Sequence, residues 1–231
     1  MATFGAILLA GGAGRRLGGL AKPVLPVAGH SMLDRVLRAV ADASPVVVVG
    51  KVPAALPASV LTTVEDPPGS GPVAATAAGV ALLPRDVADV ALLAADLPFL
   101  SPPAIARLRD QLAVSTVDGV LYVDGDGRRQ LLCGVWRATP LRAALDRLSA
   151  QRAPSAQRAP SAHQSSSGEL APPGELMPSG EGAAAGLVGA SMRALFAGLD
   201  VGEVAWTEPG PPPWFDCDTD DDLRQAEEWA R

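Results

Sequence analysis

Residues 8–30 read LLAGGAGRRLGGLAKPVLPVAGH, and no other stretch restricts the possible folds as much. The run 6–10 is apolar throughout, which fits a first strand buried in a parallel sheet. Gly11, Gly12 and Gly14 follow at once, then Arg15 and Arg16, Gly18 and Gly19, and Lys22 before Pro23. Glycines after a strand let the backbone turn sharply and bring its N–H groups close to a ligand. Backbone donors joined by a fixed arginine and lysine form a cradle for a polyphosphate. An ordinary strand-to-helix loop would not need cations and a proline at these places.

Two commoner phosphate motifs do not fit. A Walker A loop requires Gly-Lys-Ser/Thr, whereas Lys22 lies between Ala21 and Pro23. A dinucleotide fingerprint would require glycine at position 17, which is Leu17. The pattern L-A-G-G-x-x-x-R-x-G…K-P is present, with Arg16, Gly18 and Lys22 in place. In this it resembles the nucleotidyltransferase superfamily.

Composition narrows the class further. At 231 residues, 48% of them apolar, the chain can bury the core of one sizeable domain. A formal charge of −6 argues against nucleic acid as a partner. Cys133 and Cys217 are too few for a disulfide framework or a thiolate metal site. No apolar run is long enough to span a membrane and no basic leader opens the chain, so a soluble, cytoplasmic protein with no membrane partner is expected. Of 19 basic residues only Lys22 and Lys51 are lysine, so Lys22 stands where arginine was the commoner supply. That choice suggests a compact point charge.

Strand-like and helix-like segments alternate along the chain. Strands are expected at 46–49, 60–64, 89–94, 119–123, 131–136 and 201–206, and helices at 32–42, 72–83, 103–113, 140–148, 191–199 and 220–229. The alternation predicts an α/β fold, a single Rossmann-like three-layer domain whose mostly parallel sheet is covered on both faces. Residues 151–186 differ in kind: AQRAPS occurs at 150–155 and again at 156–161, followed by a tract rich in Ser, Pro, Gly and Glu. Such a tract buries too little to offset its ordering entropy, so it is expected to be a disordered low-complexity insert. The domain would then comprise 1–150 and 187–231.

The acidic residues carry the rest of the chemistry. Asp96 follows an apolar strand directly, so its carboxylate should emerge at the sheet's carboxyl edge, where ligands bind in such folds. A carboxylate beside a polyphosphate would be repelled unless a divalent cation lay between them. Magnesium takes one or two carboxylates together with phosphate oxygens. Asp216 and Asp218 alternate in an extended segment and therefore point the same way, so one of them is a second candidate metal ligand. Asp66 either contacts the nucleotide or forms a turn before Pro67 and Pro68. Asp220 to Asp222 read as first-turn residues of a helix capped by Thr219. His30 and His163 are poorly placed for a general base. Cys133 reads as core, and Cys217 between two aspartates has its thiolate disfavoured.

Several of these elements together resemble the molybdenum cofactor guanylyltransferase family: Asp96-Leu97-Pro98, Gly71-Pro72-Val73-Ala74 with Glu65-Asp66 upstream, Gly127-Arg128, and Phe215-Asp216-Cys217-Asp218-Thr219. The likeness covers about 1–150 and 187–231. It implies a domain of the nucleotide-diphospho-sugar transferase type, with Leu9, Ala10, Gly11 and Lys22 contacting GTP, Asp66 on the nucleotide and Asp96 on Mg2+. The chain differs from the family pattern at Ala21, usually aspartate, and at Asp216 and Asp218, commonly asparagines. It also lacks the proline expected after Gly127-Arg128.

The expected reaction is attack of an acceptor phosphate on the α-phosphorus of a nucleoside triphosphate, releasing pyrophosphate. Gly11, Gly12 and Gly14 would hold the triphosphate, and Arg16 and Lys22 would counter its charge. Two other readings stay open. One is a sugar-phosphate nucleotidyltransferase, which the segment 22–29 also resembles. The other is a catalytically silent nucleotide-binding regulator.

Overall fold

Strand β1 (Thr3–Leu9) lies near the middle of a seven-stranded sheet in the computed structural model, which describes residues 3–11, 22–53, 55–152 and 186–231. Gly12, Gly14, Arg15, Arg16 and nearly all of the 151–186 insert lie outside the described residues. The remaining strands are β2 (Pro26–Val27), β3 (His30–Ser31), β4 (Val46–Val49), β5 (Val60–Thr63), β6 (Val87–Ala94), β7 (Gly119–Val123), β8 (Arg129–Arg137) and β9 (Val201–Ala205). The helices are α1 (Met32–Ala39), α2 (Pro72–Ala81), α3 (Pro102–Ala113), α4 (Ala138–Arg152), α5 (Met192–Phe196) and α6 (Asp220–Trp229).

Sheet order is β5-β4-β1-β6-β8-β7-β9. All neighbours pair parallel except at β8, which runs antiparallel to both β6 and β7. The fold is thus the α/β architecture expected, with one reversed strand. Its cause is local: only residues 124–128 separate β7 from β8, too few for a crossover. Asp124 builds that turn, its Oδ1 accepting from Asp126 N at 3.1 Å and Arg128 N at 2.8 Å, with Gly127 at φ 74°.

Period-two alternation along β1 divides the core. Ile7 and Leu9 face α2, α4 and α5, while Phe4, Ala6 and Leu8 face α1 and α3. Both sheet faces are therefore covered, as a largely parallel sheet requires. A third, smaller cluster gathers Val27, Met32, Cys217 and Ala226 under α6. It fastens the carboxyl-terminal segment to the β2–β3 hairpin, whose turn residues Ala28 and Gly29 have φ of 47° and 77°. Glu227 Oε1 accepts from Ala28 N at 3.0 Å and braces that turn.

Four strands end level with one another. Thr63 pairs with Val49, Val49 with Leu9, and Leu9 with Ala94. Two residues beyond this line stand Glu65, Lys51, Gly11 and Asp96, one from each strand.

Candidate active site

The ladder continues one step past the strand ends. Ala10 N donates to Val49 O at 2.8 Å, Ala95 N to Leu9 O at 3.1 Å and Gly50 N to Thr63 O at 2.9 Å. Gly11 therefore leaves the sheet at a defined point between β4 and β6. Gly50, at φ 127°, makes this possible from the β4 side. A Cβ there would stand 2.6 Å from Gly11 N, so no larger residue lets the two backbones approach so closely.

Lys22 opens a short 3-10 turn over Lys22–Val24, and its side chain is 15% exposed. Nζ donates to Asp96 Oδ2 at 2.8 Å and to Asp218 Oδ1 at 2.7 Å. An ammonium has three donors, so among the described residues one is left over. Asp96 is carried by β6 and anchored by the buried Leu97 and Leu100 behind it. Arg35 of α1 fixes the hairpin beside the lysine, its Nε and Nη2 donating to Val27 O at 3.2 and 2.7 Å.

Cys217 is fully buried in the third cluster, so its neighbours Asp216 and Asp218 both turn outward. The alternation expected from the sequence thus brings both carboxylates to the Lys22 side. Thr219 caps α6 in a reciprocal box with Asp222, as expected, with Asp220, Asp221 and Asp222 in the first turn.

The electrostatics follow from this crowding. Burial lowers the Lys22 pKa, but the hydrogen bonds and charges of Asp218 and Asp96 outweigh it, and the net shift is upward. Asp216 is held above the ordinary carboxylate range, first by desolvation and then by the charges of Asp218 and Asp96, with Lys22 opposing. The Cys217 thiol is pushed up to about 12 by burial and then by surrounding acids, so it stays protonated, as expected. Burial alone pushes the core residue Cys133 up as well.

The pair Glu65-Asp66 divides between two sides. Asp66 is exposed and lines a groove of about 680 Å3 between α2 and α4, with Ala74, Ala78 and Arg142. Glu65, which sequence reasoning left out of the site, is 8% exposed. Its Oε1 accepts from Gly69 N at 2.9 Å, while its buried Oε2 has no hydrogen-bond partner among the described residues. Adjacent residues of an extended chain must diverge. Which of the two turns inward is decided by packing and carries no signal in the sequence. Beside them, Gly50 to Pro53, Leu56 and Thr62 to Val64 line a cleft of about 810 Å3.

Of the residues expected in the site, Leu9, Ala10, Gly11, Lys22, Asp96, Asp216 and Asp218 gather at this edge. Gly12, Gly14 and Arg16 lie outside the described residues. Asp96, Asp216 and Asp218 are hard oxygen donors of the type that Mg2+ or Mn2+ takes. Among the described residues, however, no group of three or more His, Cys, Asp or Glu side chains is placed to hold a metal ion by itself. The donor set fits an ion shared between one or two carboxylates and ligand phosphates. No helix among the described residues is long and apolar enough to cross a membrane.

A family model described as MobA-like NTP transferase domain matches residues 6–165. A molybdenum cofactor guanylyltransferase of Bradyrhizobium sp. (strain ORS 278) is 36% identical over 137 residues, covering 56% of this chain and 64% of that protein. The aligned stretch is thus just under two thirds of that relative. Among solved structures, Rv0371c from Mycobacterium tuberculosis H37Rv superposes with a TM-score of 0.66 at 19% identity, covering 99% of this chain and 100% of that one. It has also been solved in complex with manganese, with a TM-score of 0.58 at 15% identity, covering 98% of each chain. Molybdopterin-guanine dinucleotide biosynthesis protein A from Archaeoglobus fulgidus gives 0.59 at 17% identity over 96% of each chain. These structural likenesses establish the fold.

Proposed function

This chain belongs to the MobA-like NTP transferase domain family, and from that premise we propose that it transfers GMP from GTP to a molybdopterin-type acceptor, with release of pyrophosphate. The observation that carries the reading is the Lys22 ammonium, fixed at the sheet edge between Asp96 and Asp218 with, among the described residues, one donor to spare. An acceptor phosphate oxygen attacks the α-phosphorus, the bond from the α-phosphorus to the bridging oxygen breaks, and the pair of electrons leaves with pyrophosphate. The acceptor phosphate is already ionised at neutral pH, so no protein base is required. Positioning and charge neutralisation are the work left to the protein.

In this reading the backbone at Leu9, Ala10 and Gly11 carries the nucleotide, with Gly12, Gly14 and Arg16 completing the cradle, while Asp66, turned into the groove between α2 and α4, is not needed for it. Lys22 gives its remaining donor to a phosphate oxygen and counters the charge of the departing pyrophosphate. Asp96, with Asp218 or Asp216, would hold Mg2+, which when bound supplies charge neutralisation at the phosphates. Carboxylates already present to bind a cation explain why so many acids can crowd beside a polyphosphate.

The test is a pyrophosphate-release assay with each of GTP, ATP, CTP and UTP, with a molybdopterin acceptor or a hexose 1-phosphate, and with Mg2+ or a chelator. GTP with the molybdopterin acceptor and Mg2+ should be the productive combination, and Asp96→Asn should abolish the response to added metal. Turnover with a hexose 1-phosphate would move the assignment to sugar-phosphate transfer. GTP binding with no turnover on any acceptor would make the chain a silent regulator.

A further inference from the structure

The proposed reaction leaves Glu65 unused, although it is the acid that lies against Gly11. Its two carboxylate oxygens stand 3.9 and 4.0 Å from the position a Cβ would take on Gly11. Oε1 is occupied by Gly69 N, whereas Oε2 is buried and has no partner among the described residues. A buried acceptor is seldom left unpaired without a ligand to satisfy it. In the sheet order, β4 and β5 lie on one side of β1 and β6 on the other, so Glu65 and Asp96 approach Gly11 from opposite sides. The lysine cation belongs to the Asp96 side.

The two ends of a nucleoside triphosphate differ in what they offer. The triphosphate carries negative charge and hydrogen-bond acceptors, and a carboxylate beside it would be repelled. Every neutral donor lies at the nucleoside end, on the base N–H groups and the ribose hydroxyls. We propose that Glu65 reads the nucleoside end of the nucleotide lying on Gly11, its Oε2 accepting a hydrogen bond from an N–H or O–H donor of guanosine. Glu65 thereby fixes the direction in which the nucleotide lies, nucleoside toward β5 and phosphates toward Lys22. This inference rests on the nucleotidyl-transfer reading above.

The experiment is calorimetric titration of the full chain and of Glu65→Gln with GTP, inosine 5′-triphosphate and 2′-deoxyguanosine 5′-triphosphate. Glutamine keeps the size and an oxygen for Gly69 N, so the variant should melt like the parent. If it does not, Glu65→Asp, which withdraws the carboxylate by one methylene, is read by the same ratios. GTP affinity should fall roughly 10- to 100-fold in Glu65→Gln, the usual effect of losing a charge-assisted hydrogen bond. If the donor is the guanine amino group, the parent's preference for GTP over inosine triphosphate should vanish in the variant. If it is the ribose 2′-hydroxyl, the preference over the deoxynucleotide should vanish instead. Unchanged GTP affinity and unchanged preferences would overturn the role of Glu65 while leaving the transfer reading intact. A parent chain that binds no nucleoside triphosphate would overturn both.

Discussion

Lys22 Nζ donates to Asp218 Oδ1 at 2.7 Å across a separation of 196 residues, so the glycine-loop end of the chain and its last extended segment meet at one ammonium. The contact is held from behind by Val27, Met32 and the buried Cys217, which pack as one cluster. A site assembled from both ends of the chain exists only when the whole domain has folded.

Removing the ammonium should have two effects. Lys22→Met is expected to lower turnover by about 10²–10³, or roughly 3–4 kcal/mol of transition-state stabilisation. It should also melt lower than the parent, because Asp96 and Asp218 lose their shared cation. The Lys22 pKa is raised above 10.5, so this stabilisation is fully present below that value and is lost only as pH rises through the folded-state pKa. Adding Asp96→Asn to Lys22→Met should recover part of the melting temperature and none of the activity. Pyrophosphate release and thermal melts from pH 7 to strongly alkaline pH check both effects.

Asp216 and Asp218 should respond oppositely in stability. The Asp216 pKa is raised above the ordinary 3.8, so its ionised form opposes folding. The protonated form costs nothing below the unfolded-state value, and stability is lost as pH rises through the folded-state value. Asp216→Asn should therefore melt higher than the parent at pH 7, a gain that disappears on acidification toward pH 4. Asp218→Asn breaks the bond to Lys22 and should melt lower. In turnover one of the two should show a strong loss and the other a weak one. Equal melting temperatures for all three proteins at pH 7 would count against the assigned electrostatics.

Gly50→Ala tests the close approach that frames the glycine loop. At φ 127° with a Cβ placed 2.6 Å from Gly11 N, alanine must distort the backbone, at a cost of about 1–3 kcal/mol. Weakened GTP binding should accompany the lower stability because Gly11 is displaced. Chemical denaturation with and without GTP measures the two separately.

The insert is expected to be dispensable for folding and turnover. Its ends are already joined: Arg152 Nε donates to Gly186 O at 2.9 Å and Arg152 Nη2 to Val188 O at 3.0 Å. Replacing residues 153–185 with a short Gly/Ser linker should leave melting temperature and activity nearly unchanged, since closing a shorter loop costs little. Protection of that tract in hydrogen exchange on the parent chain would contradict the expectation.

The sequence by itself determined the first strand, which ends before Gly11, because local chemistry dictates it. An unbroken apolar run fits a strand covered on both faces, and glycine is the residue that admits the backbone approach seen at Gly50 and Gly11. It also placed nearly all the strands and helices to within a few residues, the strands through short unbroken apolar runs and the helices through apolar residues at helical spacing and their capping residues. The alternation of Asp216, Cys217 and Asp218 was legible for the same reason, once one member was apolar enough to face inward. Short elements such as the β2–β3 hairpin were not legible, since two-residue strands have no period to read. Tertiary structure alone decided that β8 inserts backwards between β6 and β7 and that Glu65 rather than Asp66 turns toward Gly11. It also decided that Lys22 finds two aspartates from distant parts of the chain. Each of these depends on which surfaces meet after the chain has crossed the sheet, and pairing between distant segments leaves no pattern within either segment alone.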